Sequence, residues 1–287
     1  MKAKGREKVM KKWTLRTITV IVVACILTGT FFVGKGYFMF QTALKECSLT
    51  DKVQSIRARE NYTPLEELPR IYMDAVVAAE DHRYYDHGPI DIISIGRALW
   101  VNLTSFSLVE GGSTITQQLA KNMYFTQEKK LERKIAETFM AFALENQYGK
   151  DDILELYVNI IYFGSGYYGV YDASQGYFGK APSEMTDYES TLLAGIPNAP
   201  SVYSPDVNPE LSLQRQQQVL AKMVDCDFIT EEEAQAITAN RNIAKKVKNK
   251  SGDISWVFVS DAVDADIALY AGWIDPYAVV MPATGLE

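Results

Sequence analysis

The chain has 287 residues, of which 47% are hydrophobic and 23% charged, a composition that excludes a disordered or fibrous protein and suffices for one large domain or two modest ones. Its net charge of −7 is unevenly placed: residues 1–16 carry +6, leaving −13 for the other 271, so no nucleic-acid partner is expected for the bulk of the chain. Three cysteines (Cys25, Cys47, Cys226) without a CxxC pair or a Cys/His cluster argue against a zinc site and allow at most one disulfide, Cys47 to Cys226, whose formation the spacing leaves open.

The basic start holds Lys2, Lys4, Arg6, Lys8, Lys11, Lys12 and Arg16 against Glu7 alone, and an uncharged apolar run follows from Thr17 to Gly34. That run approaches the ~20 residues needed to cross a bilayer. It is long for the apolar core of a cleaved signal and is followed by no clear small-x-small site, so it reads as a membrane anchor. The charge asymmetry then places residues 1–16 in the cytoplasm, a transmembrane helix at 17–36, and the rest outside. Tyr37, Phe38, Met39 and Phe40, just past the anchor, suit the headgroup level or extend the same helix.

Thr63-Pro64-Leu65-Glu66 has the form of a capping box with proline at the first helical position, and Pro69 restarts a helix that carries Ile71 to Ala79 into Glu80 and Asp81. An apolar wall disfavours the charged form of a carboxylate and moves its pKa toward the working range of a base, which makes Glu80 the candidate general base; surface charges ending a helix are the plain alternative. Residues 91–103 repeat Ile92, Ile95, Leu99 and Leu103 at helical spacing, an amphipathic helix with a structural role.

Glu110-Gly111-Gly112-Ser113-Thr114-Ile115-Thr116-Gln117-Gln118-Leu119-Ala120-Lys121-Asn122 reads either as a glycine turn that frees helix N–H groups for an anion or as an ordinary turn with a good cap. In the helix of residues 128–145, Glu137 is the only charge between Lys134 and Glu145, so it needs a partner or a task; Arg133 at i−4 and Lys134 at i−3 are available. Asp151 to Tyr162 is a further helix, which runs into Phe163-Gly164-Ser165-Gly166-Tyr167-Tyr168-Gly169. This matches GxGxxG, but a helical pattern precedes it where the dinucleotide fingerprint requires a strand; a tight tyrosine-lined turn is the better reading. Thr186-Asp187-Tyr188-Glu189 is a second capping box whose helix stops at Gly195, residues 210–240 give two more helices, and Lys245–Lys250 reads as a basic linker before a tail without period.

Several of these motifs, in this order, closely resemble the family 51 glycosyltransferases, the peptidoglycan polymerases found alone or as the N-terminal domain of bifunctional penicillin-binding proteins. They are Glu80-Asp81-x-Arg83-Tyr84-x-x-His87, Gly111-Gly112-Ser113-Thr114-Ile115-Thr116-Gln117-Gln118, Arg133-Lys134-x-x-Glu137, Leu154-Glu155-Leu156-Tyr157 to Gly169, and Leu193-Ala194-Gly195-Ile196-Pro197 to Tyr203. The resemblance covers about residues 60–210. It implies a mainly α, lysozyme-like helical glycosyltransferase domain with a smaller membrane-proximal lobe over residues 37–245, leaving 246–287 as a tail of unknown role.

It also implies inverting transfer. Glu80 would take the proton of the lipid II 4-hydroxyl, which attacks the anomeric carbon of the lipid-linked chain, and a polyprenyl pyrophosphate departs. Glu137 matches the second essential acid; Asp81, Arg83, Ser113, Gln117, Lys121, Arg133 and Lys134 would surround the substrate and its leaving group, with Asp81 orienting the cations. The implied partners are lipid II, the lipid-linked glycan chain, the bacterial cytoplasmic membrane and other cell-wall synthesis proteins. A divalent cation, Mg²⁺ or Mn²⁺, near Glu137 would suit the phosphates, and no organic cofactor is implied.

Two departures stand out: His87-Gly88-Pro89 replaces the usual His-x-Gly, and Tyr84 the usual Phe. No Ser-x-x-Lys, Ser-x-Asn or Lys-Thr-Gly follows, so a transpeptidase domain is not expected within these residues; a monofunctional enzyme and a piece of a bifunctional one both remain open. The rival readings are a lysozyme-like hydrolase or lytic enzyme, which has no use for a cationic pyrophosphate seat, and a membrane-anchored glycan-binding protein without catalysis.

Overall fold

The computed structural model describes residues 2–105, 111–126, 128, 130–240, 243–248 and 254–259. The architecture is mainly α. The helices are α1 (Lys2–Glu46), α2 (Leu49–Arg57), α3 (Arg70–Glu80), α4 (Ile92–Ser105), α5 (Ile115–Tyr124), α6 (Leu131–Glu145), α7 (Lys150–Ile160), α8 (Val170–Phe178), α9 (Asp187–Gly195), the single turn α10 (Pro200–Tyr203), α11 (Pro209–Asp225) and α12 (Glu231–Ala239). Strands β1 (Ile243–Lys248) and β2 (Ile254–Val259) follow, paired antiparallel from Ile243 opposite Val259 to Lys248 opposite Ile254, with β1 beside α8. The stretch expected as a basic linker thus enters a strand, while Glu110 and the tail beyond residue 259 lie outside the described residues.

The apolar run expected to span the membrane lies within one continuous helix, and Trp13–Glu46 is long and apolar enough to cross a bilayer. The upper part of α1 packs along α6. Gly36 makes this possible: a Cβ there would sit 2.6 Å from Ile135 Cγ2 and 2.9 Å from the Glu132 carbonyl, so only hydrogen lets the backbones approach this closely. Lys35 pairs with Glu132 at 2.9 Å across the same contact. Of the aromatics read as headgroup-level, Phe40 is instead buried, and both it and Tyr37 lean on the Phe139 ring with centroids 5.9 and 5.3 Å away, whereas Phe38 points outward.

α3 is the buried spine that delivers Glu80. Tyr72 and Ala75 to Ala79 are all buried, and the small side chains let α9 and α11 close on it. Burial of valines such as Val76 and Val77 is worth about 1.5–3 kcal/mol each. The capping box at Thr186 starts α9 as its sequence suggests, and every residue from Tyr188 to Gly195 is buried. Within it, the Glu189 carboxylate pairs with Lys180 at 3.0 Å. A second group, α5, α6 and α7, packs together.

The capping box expected at Thr63 does not form. Asn159 on α7 takes the Thr63 backbone from both sides, accepting from its N–H at 2.8 Å and donating to its carbonyl at 2.8 Å, and only a short 3₁₀ turn follows at Leu65–Glu67. The glycine turn after α7 does form: Gly164, Ser165, Gly166 and Gly169 all have positive φ, and a helix precedes it, so the dinucleotide reading falls. α4 has the expected helix but not the expected role. Only Ala98 is buried, while Ile92 (78% exposed), Ile93, Leu99, Trp100 and Leu103 face outward, because helical periodicity marks an apolar face without saying what covers it.

Candidate active site

Glu80 closes α3, and its two carboxylate oxygens have different surroundings. Oε2 accepts from Gln118 Nε2 at 2.9 Å; Oε1 is buried and has no hydrogen-bond partner among the described residues. The Gln118 amide is itself oriented, since the Tyr157 hydroxyl donates to Gln118 Oε1 at 3.2 Å and so turns Nε2 toward Glu80. Burial, reinforced by the Glu80 charge, raises the Tyr157 phenol well above its usual pKa and keeps it a donor.

Asp81, next in sequence, forms no ion pair with Lys121, Arg133 or Lys134 among the described residues. Its Oδ2 accepts from the Ile115 N–H at 3.0 Å and its Oδ1 lies 2.8 Å from His87 Nε2. Of the two readings of the start of α5, the ordinary capped turn holds: its N–H groups are taken by the protein's own Asp81 carboxylate, and Thr114 and Gln117 complete the cap. Thr114 Oγ1 also donates to the Pro89 carbonyl at 2.9 Å, which ties the unusual Gly88-Pro89 loop to α5. Tyr84 is wholly buried, its hydroxyl donating to the Lys150 carbonyl at 2.7 Å, so the change from Phe gains a bond at no polar cost.

Two further predicted ligands are committed elsewhere. Arg83 grips Asp91 with bonds of 2.6 and 3.2 Å. Burial pushes the Asp91 carboxyl up, but Arg83, Ser94 and the N–H groups of Ser94 and Ile93 outweigh it and hold it well below the usual range. Gln117 is the third residue of the α5 capping box, and its Nε2 donates to Thr138 Oγ1 at 3.2 Å. Gln118, one position on, is the residue in contact with Glu80. The signal was present: Thr114-x-x-Gln117 has the capping-box form, which assigns Gln117 to the cap and leaves Gln118 for the site.

On α6 the predicted residues do converge. Glu137 is 1% exposed; its Oε1 is paired with Arg133 and its Oε2 lies 3.0 Å from Lys134 Nζ, which also donates to Ser113 Oγ at 2.6 Å. Burial first, then repulsion from Lys121 and Arg133, pushes Lys134 down to about 8. Lys121 is lowered by burial and by Arg133, with attraction from Glu80 opposing. Lys121, Arg133, Lys134 and Glu80 therefore share one electrostatic field, with Ser113 at its edge.

Mg²⁺ or Mn²⁺ does not fit at Glu137, because Arg133 and Lys134 already take both oxygens. Asp81, His87 and Asp91 bring possible ligand atoms within 4.8 Å of one another, yet Arg83 holds Asp91 and the Ile115 amide holds Asp81. Cys47 and Cys226 are free thiols. Chemically, the site offers a carboxylate with one unpartnered, buried oxygen beside a compact cluster of cations suited to an anion.

A family model described as Transglycosylase matches residues 48–224. Penicillin-binding protein 1F of Bacillus subtilis is 43% identical over 204 residues, covering 70% of this chain and 28% of that protein. Penicillin-binding protein 1A of Aquifex aeolicus is 44% identical over 189 residues, covering 66% and 26%. The crystal structure of penicillin-binding protein 1A from Haemophilus influenzae aligns with a TM-score of 0.38 and 23% identity, over 72% of this chain and 20% of that one. The chain thus spans little more than a quarter of the length of the curated relatives it matches.

Proposed function

The chain belongs to the transglycosylase family, and from that premise we propose that it polymerises lipid II into β-1,4-linked glycan strands, releasing polyprenyl pyrophosphate with inversion at the anomeric carbon. The observation that carries this reading is the Glu80 carboxylate, held at Oε2 by Gln118 and without a hydrogen-bond partner at its buried Oε1. In this scheme Oε1 accepts the proton of the acceptor 4-hydroxyl as that oxygen attacks the anomeric carbon of the lipid-linked chain. The bond from that carbon to the diphosphate breaks on the opposite face. Negative charge accumulates on the leaving diphosphate, and Lys121, Arg133 and Lys134 stabilise it without reorganisation because Glu137 already fixes two of them. Ser113, bonded to Lys134, is a further polar contact at that seat.

Asp81, Arg83 and Gln117 act by positioning: they lock the start of α5, the start of α4 and the α5 cap. No step is routed through a divalent ion. The site's cations supply the charge that an ion near Glu137 was expected to bring.

We further propose a single-pass protein of the bacterial cytoplasmic membrane, with residues 1–16 cytoplasmic, 17–36 spanning, 37–245 the exoplasmic catalytic domain and 246–287 a tail of unknown role, working beside other cell-wall synthesis proteins. The length and apolarity of α1 support the anchor, and the outward apolar face of α4 supports a catalytic domain that rests on the bilayer. Incubation of the purified protein with labelled lipid II tests the reaction. Polymer formation is expected; shortening of preformed glycan strands without polymerisation would overturn it in favour of a hydrolase.

A further inference from the structure

A groove of about 820 Å³ runs between the upper part of α1 and the corner where α5 ends and α6 begins. Phe31, Gly34, Phe38 and Met39 of α1 form one wall, and Tyr124 and Phe125 form the other. We propose that this groove holds the polyprenyl tail of the lipid-linked substrate while its diphosphate sits at Lys121, Arg133 and Lys134. The inference rests on the glycosyl-transfer reading and adds where the lipid goes.

Continuity with the cation cluster is the first support. Tyr124 follows Lys121 by three residues on α5, so one face of that helix passes from the cation to the groove, and Phe125 caps the helix at the groove's wall. On α6, Glu132 lines the groove while its neighbours Arg133 and Lys134 turn to Glu137.

Charge selects hydrocarbon over a headgroup. The groove's lysines are already paired, Lys35 with Glu132 at 2.9 Å and Lys130 with Glu128 at 2.5 Å, so the walls offer a lipid phosphate no uncommitted cation among the described residues. Direction then selects the substrate over bulk lipid. The α1 wall runs from Thr30, inside the apolar stretch, to Glu46, a climb of about 24 Å at 1.5 Å per residue. A phospholipid's chains point down from the interface into the bilayer. A chain attached to a diphosphate bound above the bilayer must make the climb, and an apolar groove keeps it out of water on the way.

Gly34 gives a clean test, because a Cβ there meets nothing within 4 Å, so Gly34→Leu projects into the groove without disturbing the α1–α6 contact. Polymerisation rates would be measured for lipid II carrying a long and a short polyprenyl tail. KM for the long-tailed substrate is expected to rise about tenfold in Gly34→Leu, with kcat/KM for the short-tailed one unchanged. Equal effects on both tails, or none, would overturn the groove assignment while leaving the polymerase reading intact. A lipid II analogue with a diazirine in the tail, photolysed on the wild-type protein without turnover, is expected to label the 31–39 segment or Tyr124-Phe125. Labelling elsewhere, or equal labelling from a diazirine phospholipid that lipid II fails to displace, also overturns it. Absence of polymer from wild-type protein with either tail would refute the catalytic reading instead.

Discussion

The two acids of the site, Glu80 at the end of α3 and Glu137 in the middle of α6, face one field of cations but are built in opposite ways. Glu137 is almost sealed from solvent and fully paired, Arg133 on one oxygen and Lys134 on the other. Glu80 is half-buried, with one oxygen held by a neutral amide and the other without a partner. On the proposed mechanism the more deeply buried carboxylate is therefore not the reactive one. Burial with cations on both sides fixes Glu137 as an anchor for charge, whereas partial burial beside a single oriented donor leaves Glu80 a lone pair with which to take a proton.

Substitution at the two positions is the sharpest way to break that contrast. Glu80→Gln is expected to lower kcat by about 10³-fold with the melting temperature shifted by less than about 2 °C, read by lipid II turnover and calorimetry. Turnover near wild type would remove Glu80 from the base role. Glu137→Gln is expected to cost about 10²-fold in activity and, unlike Glu80→Gln, about 3 kcal/mol of stability in denaturant titration, because it strips a buried carboxylate from two cations. Surviving activity with lost stability would make the α6 pairing purely structural.

Tyr157→Phe probes the Glu80 side from a distance. It removes the hydroxyl that orients Gln118, and kcat is expected to fall about tenfold with KM unchanged. A stability loss with kcat unchanged would mark Tyr157 as packing alone. The smallest effect concerns the α6 side. Lys134, pushed down to about 8, is charged below that pH and neutral above it, so attraction for a diphosphate weakens as pH rises. An alkaline limb in kcat/KM near pH 8 is expected, and Lys134→Arg should move it to higher pH. An unchanged limb in that variant would assign it to another group.

What could be read without coordinates followed from how local each signal is. The box at Thr186 formed where its spacing put it, since every partner lies within one turn. Thr63 carries the same spacing, yet Asn159, 96 residues away, claims its backbone. Glu137 with Arg133 and Lys134 was legible because i−4 and i−3 neighbours share a helix face. Arg83 was not, because its partner Asp91 is fixed by the loop between them, and the motif gives type without direction. Gln117 and Gln118 differ by one step of the helix, and that step separates a cap from a contact with the base. The outward face of α4 has the periodicity of a core helix, so its exposure depends on surroundings that a hydropathy pattern does not encode.

Gly36 carries a consequence for the proposed reaction. Backbone contact between α1 and α6 makes the anchor a rigid mast rather than a leash. On the proposed topology the height of the cation cluster above the bilayer is then set by the register of two helices, and thicker or thinner membranes cannot be met by slack in a tether. The catalytic head has to rise, sink or tilt with its membrane, so bilayer thickness becomes an input to the chemistry.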